Sequence, residues 1–526
     1  MSNTFVKLGL AALLALSIGA GTAGAASVHN RGANGDPQSL DPHKTSTVEE
    51  ANLLRDLFTG LVAQDADANL IPGAAESWTV SPDGKVYTFK LRKDDLWSDG
   101  TPVTAGDFVF AFRRVVNPDT ASEYASMAFP ILNAEEVNGK KAKPEDMGVK
   151  AVDDLTLEVT LKGPTPYFLE MLTHQAMYPV SKANVEKFGN DFVKPGNLVS
   201  NGAFTLAEFV PNDHIKLVKN AKFFDAANVK LDVVNYIPAE DRAAAMKRYE
   251  AGELDSNNDL PTEQLDDLKK KFGDQIHLSP ELGTYYYIFK SKKAPWDNAK
   301  LRNAISMVID RDYLASKVWS NSMLPGWSLV PPGVKGYESR MMDYSTMSQI
   351  DREDAAKKIF AELGISPDKP MKLELRYNTS ENHKNTAVAI QDMLKPFGFE
   401  VTLVTADGKT HYSYLEQHGD FDVARAGWIA DYKDPATFLN LGKTGDGNNY
   451  GEYSNAAFDD LMNKASVEAD PGKRMKELSD AEAILMKDVP VVPLLYYGNH
   501  NIVSPKLHGW KDNVMDAHPS RFISKD

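Results

Sequence analysis

The chain has 526 residues, too many for one hydrophobic core, so we expect two or three domains. Its formal net charge of −15 disfavours nucleic acid and anionic membrane surfaces as partners, because both select basic surfaces. The absence of cysteine excludes disulfides, thiolate metal ligands and the lipid-bearing cysteine of a lipoprotein.

The first residues have the pattern of an export signal. Lys7 precedes an uncharged apolar run over residues 8–20, and small residues follow up to Ala26. This pattern predicts a signal peptide over residues 1–26 and a soluble, most simply periplasmic, product. The alternative is a retained anchor, but the run is shorter than the roughly 20 residues that a membrane span needs.

Two segments near residue 100 show regular periodicity. Residues 86–91 alternate apolar and polar side chains and predict a strand. Thr104 is suited to cap a helix that runs to about residue 116, because Asp107 stands at the third helical position.

Further along, the chain mixes helical and strand patterns. Asp297 predicts the start of a helix over residues 298–309. Residues 371–377 and 399–404 are strand-like, and residues 385–395 between them are helical. Such a series is typical of a βαβ unit, so the expected class is α/β.

The most informative segment is residues 421–435, Phe-Asp-Val-Ala-Arg-Ala-Gly-Trp-Ile-Ala-Asp-Tyr-Lys-Asp-Pro. It places the cation Arg425 and the anion Asp431 around the indole of Trp428, in a stretch that begins like a strand. A ligand with a positive and a negative end could be held between such groups, and a peptide is the commonest small molecule of that kind. In a closed site each ligand charge needs a partner.

The same residues also have ordinary explanations. An aspartate before Tyr-Lys-Asp-Pro is often a turn or cap residue. Arg425 alone would more often belong to a structural ion pair, and Trp428 is as easily core as pocket. His383, beside a lysine, would ordinarily begin a helix at the surface.

Longer motifs, in chain order, carry a family resemblance. Residues 75–78 (Ala-Glu-Ser-Trp), 97–105 (Trp-Ser-Asp-Gly-Thr-Pro-Val-Thr-Ala) and 107–109 (Asp-Phe-Val) resemble the signature region of the peptide/nickel-type substrate-binding proteins of ABC importers. Further segments resemble the oligopeptide-binding members of that family; they are residues 39–44, 201–203, 284–287, 378–383 and 421–435. The likeness covers essentially the whole chain after residue 26.

The resemblance implies a two-lobed α/β clamp with a hinge and an additional domain, in which the chain crosses between lobes more than once. Such clamps close around a ligand by hinge bending. We expect domain I to comprise residues 27–58, 184–283 and 499–526. Domain II, the extra lobe, would comprise residues 59–183, and domain III residues 284–498.

The resemblance also implies a ligand site. Asp431 matches the aspartate that holds a peptide ammonium, whereas Arg425 and His383 match the groups that meet the terminal carboxylate. Gly427 matches a residue whose backbone pairs with the ligand. The remaining expected contacts are side chains or backbone lining the site: Trp428, Tyr124, Val48, Asn257 and Asn258. Residues 285–287, three consecutive tyrosines, match a strand that crosses between lobes.

Three departures from the family pattern bear on specificity. Trp319 and Glu416 stand where the best-known relatives carry a lysine and an arginine near the carboxylate end. We therefore expect acidic ligand side chains to be disfavoured, basic ones to be favoured and dipeptides to lose most. Some relatives join the positions of Gly283 and Ile429 by a disulfide, and neither is cysteine here.

No motif proposes catalysis or a cofactor. The chain lacks the G-x-G-x-x-G, P-loop, H-E-x-x-H and G-x-S-x-G patterns. Residues 446–451 resemble half of an EF-hand loop, but no carboxylate stands at the twelfth position, so we expect a surface loop without calcium. We expect no enzyme, no cofactor and no metal.

The sequence therefore favours a monomeric receptor of an ABC importer that binds peptides of about three to five residues and delivers them to a membrane permease. The alternatives keep the fold and change the ligand to a murein peptide, an opine or a nickel chelate, because fold does not determine ligand. A secreted hydrolase is the remaining alternative.

Overall fold

The structure is a computed structural model, and it describes residues 26–526 except Glu240 and Asp259. The predicted signal peptide lies outside the described residues apart from Ala26.

The strands, in chain order, are β1 (Val28–Ala33), β2 (Val62–Gln64), β3 (Leu70–Pro72), β4 (Ala75–Val80), β5 (Val86–Leu91), β6 (Val149–Asp153), β7 (Thr156–Thr160), β8 (Phe204–Val210), β9 (His214–Lys219), β10 (Val233–Pro238), β11 (Ser256–Asn257), β12 (Ile276–Phe289), β13 (Leu324–Pro325), β14 (Met371–Asn378), β15 (Phe399–Ala406), β16 (Val423–Ile429), β17 (Val491–Val503), β18 (Leu507–His508) and β19 (Ser524–Lys525).

The helices are α1 (Val48–Leu57), α2 (Ala105–Val116), α3 (Ala134–Asn138), α4 (Phe168–Met171), α5 (Lys182–Phe188), α6 (Arg242–Glu250), α7 (Leu265–Phe272), α8 (Ala299–Val308), α9 (Arg311–Tyr313), α10 (Gln349–Glu362), α11 (Glu381–Leu394), α12 (Gly408–Glu416), α13 (Ala436–Leu439), α14 (Ala456–Ala465) and α15 (Pro471–Asp488). A π-helical turn over Leu314–Val318 continues α9. No helix in the described part of the chain is both long and apolar enough to cross a membrane.

One large mixed sheet runs through most of the molecule. Its strands lie in the order β15-β14-β16-β12-β17-β11-β1-β10-β9-β8, and β13 pairs with β17 off this path. A separate four-stranded antiparallel sheet, in the order β4-β5-β7-β6, forms from chain between β1 and β8.

Two main hydrophobic cores correspond to the two lobes of the clamp. One core is built from residues between Leu282 and Leu495. The other is built chiefly from residues between Leu40 and Tyr236, and it is completed by residues near the C-terminus. The four-stranded sheet contributes to this second core, so the additional domain is packed on that lobe. We call the lobe around the first core the anchor lobe and its partner the base lobe.

Two long strands join the lobes. The first half of β12 pairs with the end of β17, from Ile276 opposite Ile502 to Pro280 opposite Gly498. The second half pairs with β17 on one side and with β16 on the other, and the β12–β17 register shifts between Pro280 and Thr284. The crossing between lobes is thus a hydrogen-bonded ribbon with an irregularity at its middle.

Local sequence explains several elements. The predicted strand over residues 86–91 is β5, which buries alternate side chains. The carboxylate of Asp107 accepts hydrogen bonds from the N–H and the hydroxyl of Thr104, both at 2.9 Å, and α2 begins one residue later, as predicted. The predicted βαβ unit is also present, because β14 and β15 pair in parallel and α11 connects them.

The prediction for Asp297 is wrong by one residue. The N-cap is Asn298, whose side-chain oxygen accepts from the N–H of Lys300 at 3.0 Å, and the helix begins at Ala299. Asn and Asp are nearly equal as caps, so composition alone does not choose between neighbours.

Candidate ligand-binding site

The segment singled out in the sequence forms strand β16 and the turn after it. β16 pairs antiparallel with β12 over its whole length, whereas its pairing with β14 ends at Ala424. In the part of the chain that the structure describes, Gly427 to Ile429 therefore have a strand partner on one side only. An extended ligand can add to such an edge through its backbone amides.

Arg425 projects from β16 into a group of neutral acceptors. Its Nη1 donates to Asn378 Oδ1 at 3.0 Å and to the Tyr412 hydroxyl at 2.8 Å, and its Nη2 donates to the Tyr497 hydroxyl at 2.9 Å. The guanidinium also lies 4.7 Å from the ring centre of Tyr285. The residue is only 6% exposed.

No aspartate or glutamate among the described residues forms an ion pair with Arg425. Burial opposes its charge, but the hydroxyls of Tyr497 and Tyr412 favour it, and the pKa of Arg425 stays above its ordinary value. Neutral acceptors hold the guanidinium in place without neutralising it, so the charge remains available to an anion.

His383 and Trp319 stand beside this arginine. The Nδ1 of His383 lies 3.4 Å from the Tyr285 hydroxyl, and its ring centre lies 6.1 Å from that of Trp319. The indole N–H of Trp319 donates to Thr386 Oγ1 at 3.0 Å. Burial, and next the charge of Arg425, lower the pKa of His383 to about 3, so the imidazole is neutral and can offer an anion one N–H but no charge.

Asp431 follows β16 and faces the base lobe. The Tyr124 hydroxyl, which belongs to the chain between β5 and β6, lies 3.4 Å from its Oδ1. Burial raises the pKa of Asp431 to about 6, and Tyr124 only partly offsets that shift. In the described ranges, no lysine, arginine or histidine forms an ion pair with Asp431. A carboxylate in this state favours an incoming cation.

Gly427 and Trp428 lie between the two charged groups. A Cβ at Gly427 would overlap the Tyr497 hydroxyl and lie 3.2 Å from Arg425 Nη2, so only glycine leaves this space open. Trp428 is half-buried, and its indole N–H donates to Thr437 Oγ1 at 2.9 Å. Gly283 and Ile429 are directly opposed on β12 and β16.

Glu416 ends α12 and is exposed. Burial, and next the negative charge of Glu416, raise the pKa of Tyr450. Burial, and next the charge of Asp431, raise the pKa of Tyr124.

The three remaining expected residues belong to other elements than those around Arg425. Val48 is the first residue of α1 and is 42% exposed. Asn257 is buried on β11, where its amide oxygen occupies the space that a side chain at position 32 would need, since Gly32 has none. The amide oxygen of Asn258 is buried and has no hydrogen-bond partner among the described residues. In the described part of the chain, neither Val48 nor Asn258 forms a hydrogen bond or an ion pair with Arg425 or with the residues that contact it.

The arginine site includes side chains that were not expected to contact Arg425. Among the described residues, Tyr412, Tyr497 and Asn378 accept hydrogen bonds from its guanidinium, and the ring of Tyr285, expected to be structural, lies against it. One available signal was the alternation of side chains along β17. Consecutive residues of a strand face opposite sides of the sheet, so either Tyr496 or Tyr497 had to face the side of Arg425.

Other features of the described residues do not compete with this site. A cavity of about 850 Å³ lies beside Tyr496 and Glu338, on the other side of β17 from Tyr497, and it contains neither Arg425 nor Asp431. No group of three or more His, Asp or Glu side chains in the described ranges could hold a metal ion.

Two lobes joined by a two-stranded ribbon, with Asp431 in contact with the opposite lobe and Arg425 six residues before it, define a hinged ligand-binding clamp. A model of the bacterial extracellular solute-binding proteins, family 5 (middle), matches residues 69–450. The chain belongs to this family.

Relatives of known name extend the comparison. The chain is 42% identical over 487 residues to the periplasmic oligopeptide-binding protein OppA of Escherichia coli strain K12, which covers 92% of this chain and 89% of that protein. It is 39% identical over 481 residues to the periplasmic murein peptide-binding protein MppA of the same organism. That match covers 91% of this chain and 89% of MppA. These relatives are periplasmic binding proteins rather than enzymes, which supports a periplasmic location for this chain.

Solved structures agree in fold. The crystal structure of Haemophilus influenzae OppA in complex with RPPGFSPFR superimposes with a TM-score of 0.81 at 36% identity, over 95% of this chain and 99% of that one. A two-lobed α/β clamp of several domains is therefore the architecture of this chain.

Proposed function

We propose that this chain is the periplasmic substrate-binding component of an ABC importer and that it binds short oligopeptides between its lobes. The observation that carries this proposal is the pair of opposite charges on buried Arg425 and half-buried Asp431, neither of which has a protein counter-ion among the described residues. They lie at the two ends of a strand edge that is open to a backbone partner. A zwitterionic, extended ligand meets all three conditions.

In the proposed complex, Asp431 accepts the ligand ammonium beside Tyr124. Arg425 meets the carboxylate, and neutral His383 donates one hydrogen bond to it. Gly427 supplies backbone pairing, and Trp428 and Trp319 line side-chain space. Val48, Asn257 and Asn258 would line the opposite lobe, with domains divided as the sequence predicts. The Cα atoms of residues 425 and 431 are at most about 20 Å apart at about 3.3 Å per residue, which suits a peptide of about three to five residues.

Glu416 would bias the ligand toward basic side chains, because an anion near the cleft disfavours acidic ones. A permease in the inner membrane would receive the peptide, and its ATPase subunits would act only indirectly. We further propose a monomer that a cleaved signal peptide directs to the periplasm without a lipid anchor, and no cofactor, metal or nucleic acid as a partner.

The direct test uses trialanine in three forms: free, N-acetylated and C-amidated. Calorimetry should show binding of free trialanine and weaker binding of both capped forms. Asp431→Asn should reduce affinity for the free peptide by about 2–5 kcal/mol, as when one partner of a buried charge pair is lost, and should leave the acetylated form unaffected. Equal affinity of the variant and the parent protein for free trialanine would refute the role of Asp431.

Ligand identity is tested on protein purified from the periplasm and then denatured. Mass spectrometry should find peptides of mixed sequence and narrow length. A single compound, such as a murein peptide, an opine or a nickel chelate, would replace the oligopeptide proposal. Incubation of the protein with peptide should return it uncleaved, whereas cleavage products would indicate a hydrolase.

A further inference from the structure

Tyr432, the residue directly after Asp431, packs in the core of the opposite lobe. It is 6% exposed and belongs to the core of the base lobe, although it lies on the chain of the anchor lobe. The other described members of that core come from residues 40–236 and from the C-terminal residues Val503, Leu507 and Ile523. One side chain therefore crosses between lobes next to the proposed ammonium anchor.

The partner of Tyr432 is Tyr167, in the loop before α4. The two rings are stacked, with centres 5.3 Å apart and planes inclined by 4°. Tyr167 also meets Arg474 on α15, whose guanidinium carbon lies 4.9 Å from its ring centre. Tyr167 thus contacts two side chains of the anchor lobe at once.

Arg474 is fixed by Asp434, two residues beyond Tyr432. Both Nη atoms donate to the carboxylate at 2.7 Å, and the side chains of the pair are 3% and 6% exposed. Lys433 lies between Tyr432 and Asp434 in the sequence, and its Nζ donates to the Ala68 carbonyl of the base lobe at 3.3 Å. With the contact of Tyr124 to Asp431, residues 431–433 each reach across the boundary between lobes.

We propose that Tyr167, Tyr432, Asp434 and Arg474 form a closure latch that holds the lobes together and positions Asp431 against Tyr124. Hinge opening separates the lobes, and Tyr432 must then leave the base-lobe core. Apolar burial opposes that movement, so the latch favours closure before any ligand binds. Tyr432 acts through Asp431 and is a positioning residue. Its effect on ligand rests on the proposed function, whereas its effect on closure does not.

The test measures lobe separation in the ligand-free protein. The chain has no cysteine, so spin labels can be attached at V152C in the additional domain and I350C in the anchor lobe, which replace side chains that are 51% and 72% exposed. Y432A and Y167A should each shift the label–label distance distribution to longer values. Y432F, which keeps the ring, should match the parent protein. Y313A removes an anchor-lobe tyrosine that is 47% exposed and should also leave the distribution unchanged.

The two variants truncate the same stack from opposite sides, so one folded variant suffices for the test. Unchanged distances in either folded variant would overturn the latch. In Y432A, the preference for free over N-acetylated trialanine should fall about tenfold. If neither peptide binds even the parent protein, the peptide proposal fails, and the label distances still decide the latch.

Discussion

Arg425 and Tyr497 are joined by a hydrogen bond of 2.9 Å that spans the strand between them. Arg425 lies on β16 and Tyr497 on β17, with β12 in the middle of the three. The bond requires glycine on both strands that Tyr497 crosses, because a Cβ at Gly283 would lie 2.7 Å from its Cδ2 and one at Gly427 would overlap its hydroxyl. The orientation of Arg425, the proposed carboxylate anchor, therefore depends on glycine at positions 283 and 427.

Gly427→Ala should weaken peptide binding by about 1–3 kcal/mol, because overpacking of this order displaces Tyr497 and with it Arg425. Calorimetry with free trialanine measures the change. Gly447→Ala is the matched control, since a Cβ there meets no atom within 4 Å. Wild-type affinity in Gly427→Ala would show that the space above this residue is not used by Arg425 or by ligand.

Arg425→Met should abolish the preference for a free carboxylate. The loss for free trialanine should be about 2–5 kcal/mol, whereas C-amidated trialanine should bind both proteins alike. Arg376→Met provides a control on neighbouring β14, where the guanidinium lies 4.1 Å from the ring centre of Tyr414. If Arg425→Met affected the acid and the amide equally, its role would be structural.

Peptide affinity should fall as pH falls below about 6. Burial raises the pKa of Asp431 to about 6 in the free protein, so at lower pH a proton occupies the carboxylate that the ammonium needs. Binding must then release this proton, and the affinity should decrease by up to about tenfold per pH unit. Asp431→Asn removes the titrating group, and its affinity should lose this slope between pH 5 and 7. Calorimetry in buffers of different ionisation enthalpy detects the released proton directly, and identical slopes in both proteins would contradict the assignment.

Arg474→Met should destabilise the protein by about 3–5 kcal/mol, because Asp434 would stay buried without its cation. Urea unfolding measures the free energy of unfolding. The double variant Asp434→Asn/Arg474→Met should recover much of the loss, since it removes the unpaired charge. A single variant as stable as the parent would mean that water or another group reaches Asp434.

The parts of the fold that depend on near neighbours were predictable from sequence. The cap of α2 is formed by Thr104 and Asp107, three residues apart, and β14, α11 and β15 follow one another directly. In each case the relevant spacing lies within about 35 residues. The missed N-cap at Asn298 shows the limit even at short range, because two adjacent residues had similar capping ability.

The surroundings of the site were not predictable in the same way. The charges of Arg425 and Asp431 are visible within seven residues, but the states of both groups are set by distant chain. Tyr497 lies 72 positions from Arg425, and Tyr124 lies 307 positions from Asp431. No pattern in the sequence distinguishes Tyr432, and only the packing of the two lobes shows that its ring belongs to the other core.

The ribbon of β12 and β17 also bears on how the protein can be divided. The anchor lobe begins and ends within strands that complete the sheet of the base lobe, so it is an insertion rather than a module at one end of the chain. A fragment cut at the register shift between Pro280 and Thr284 would leave unpaired strand edges in both pieces, and such edges promote aggregation. Neither lobe can therefore be transferred to another protein on its own. A chimera that takes its ligand preference from a relative would have to exchange β12 and β17 together.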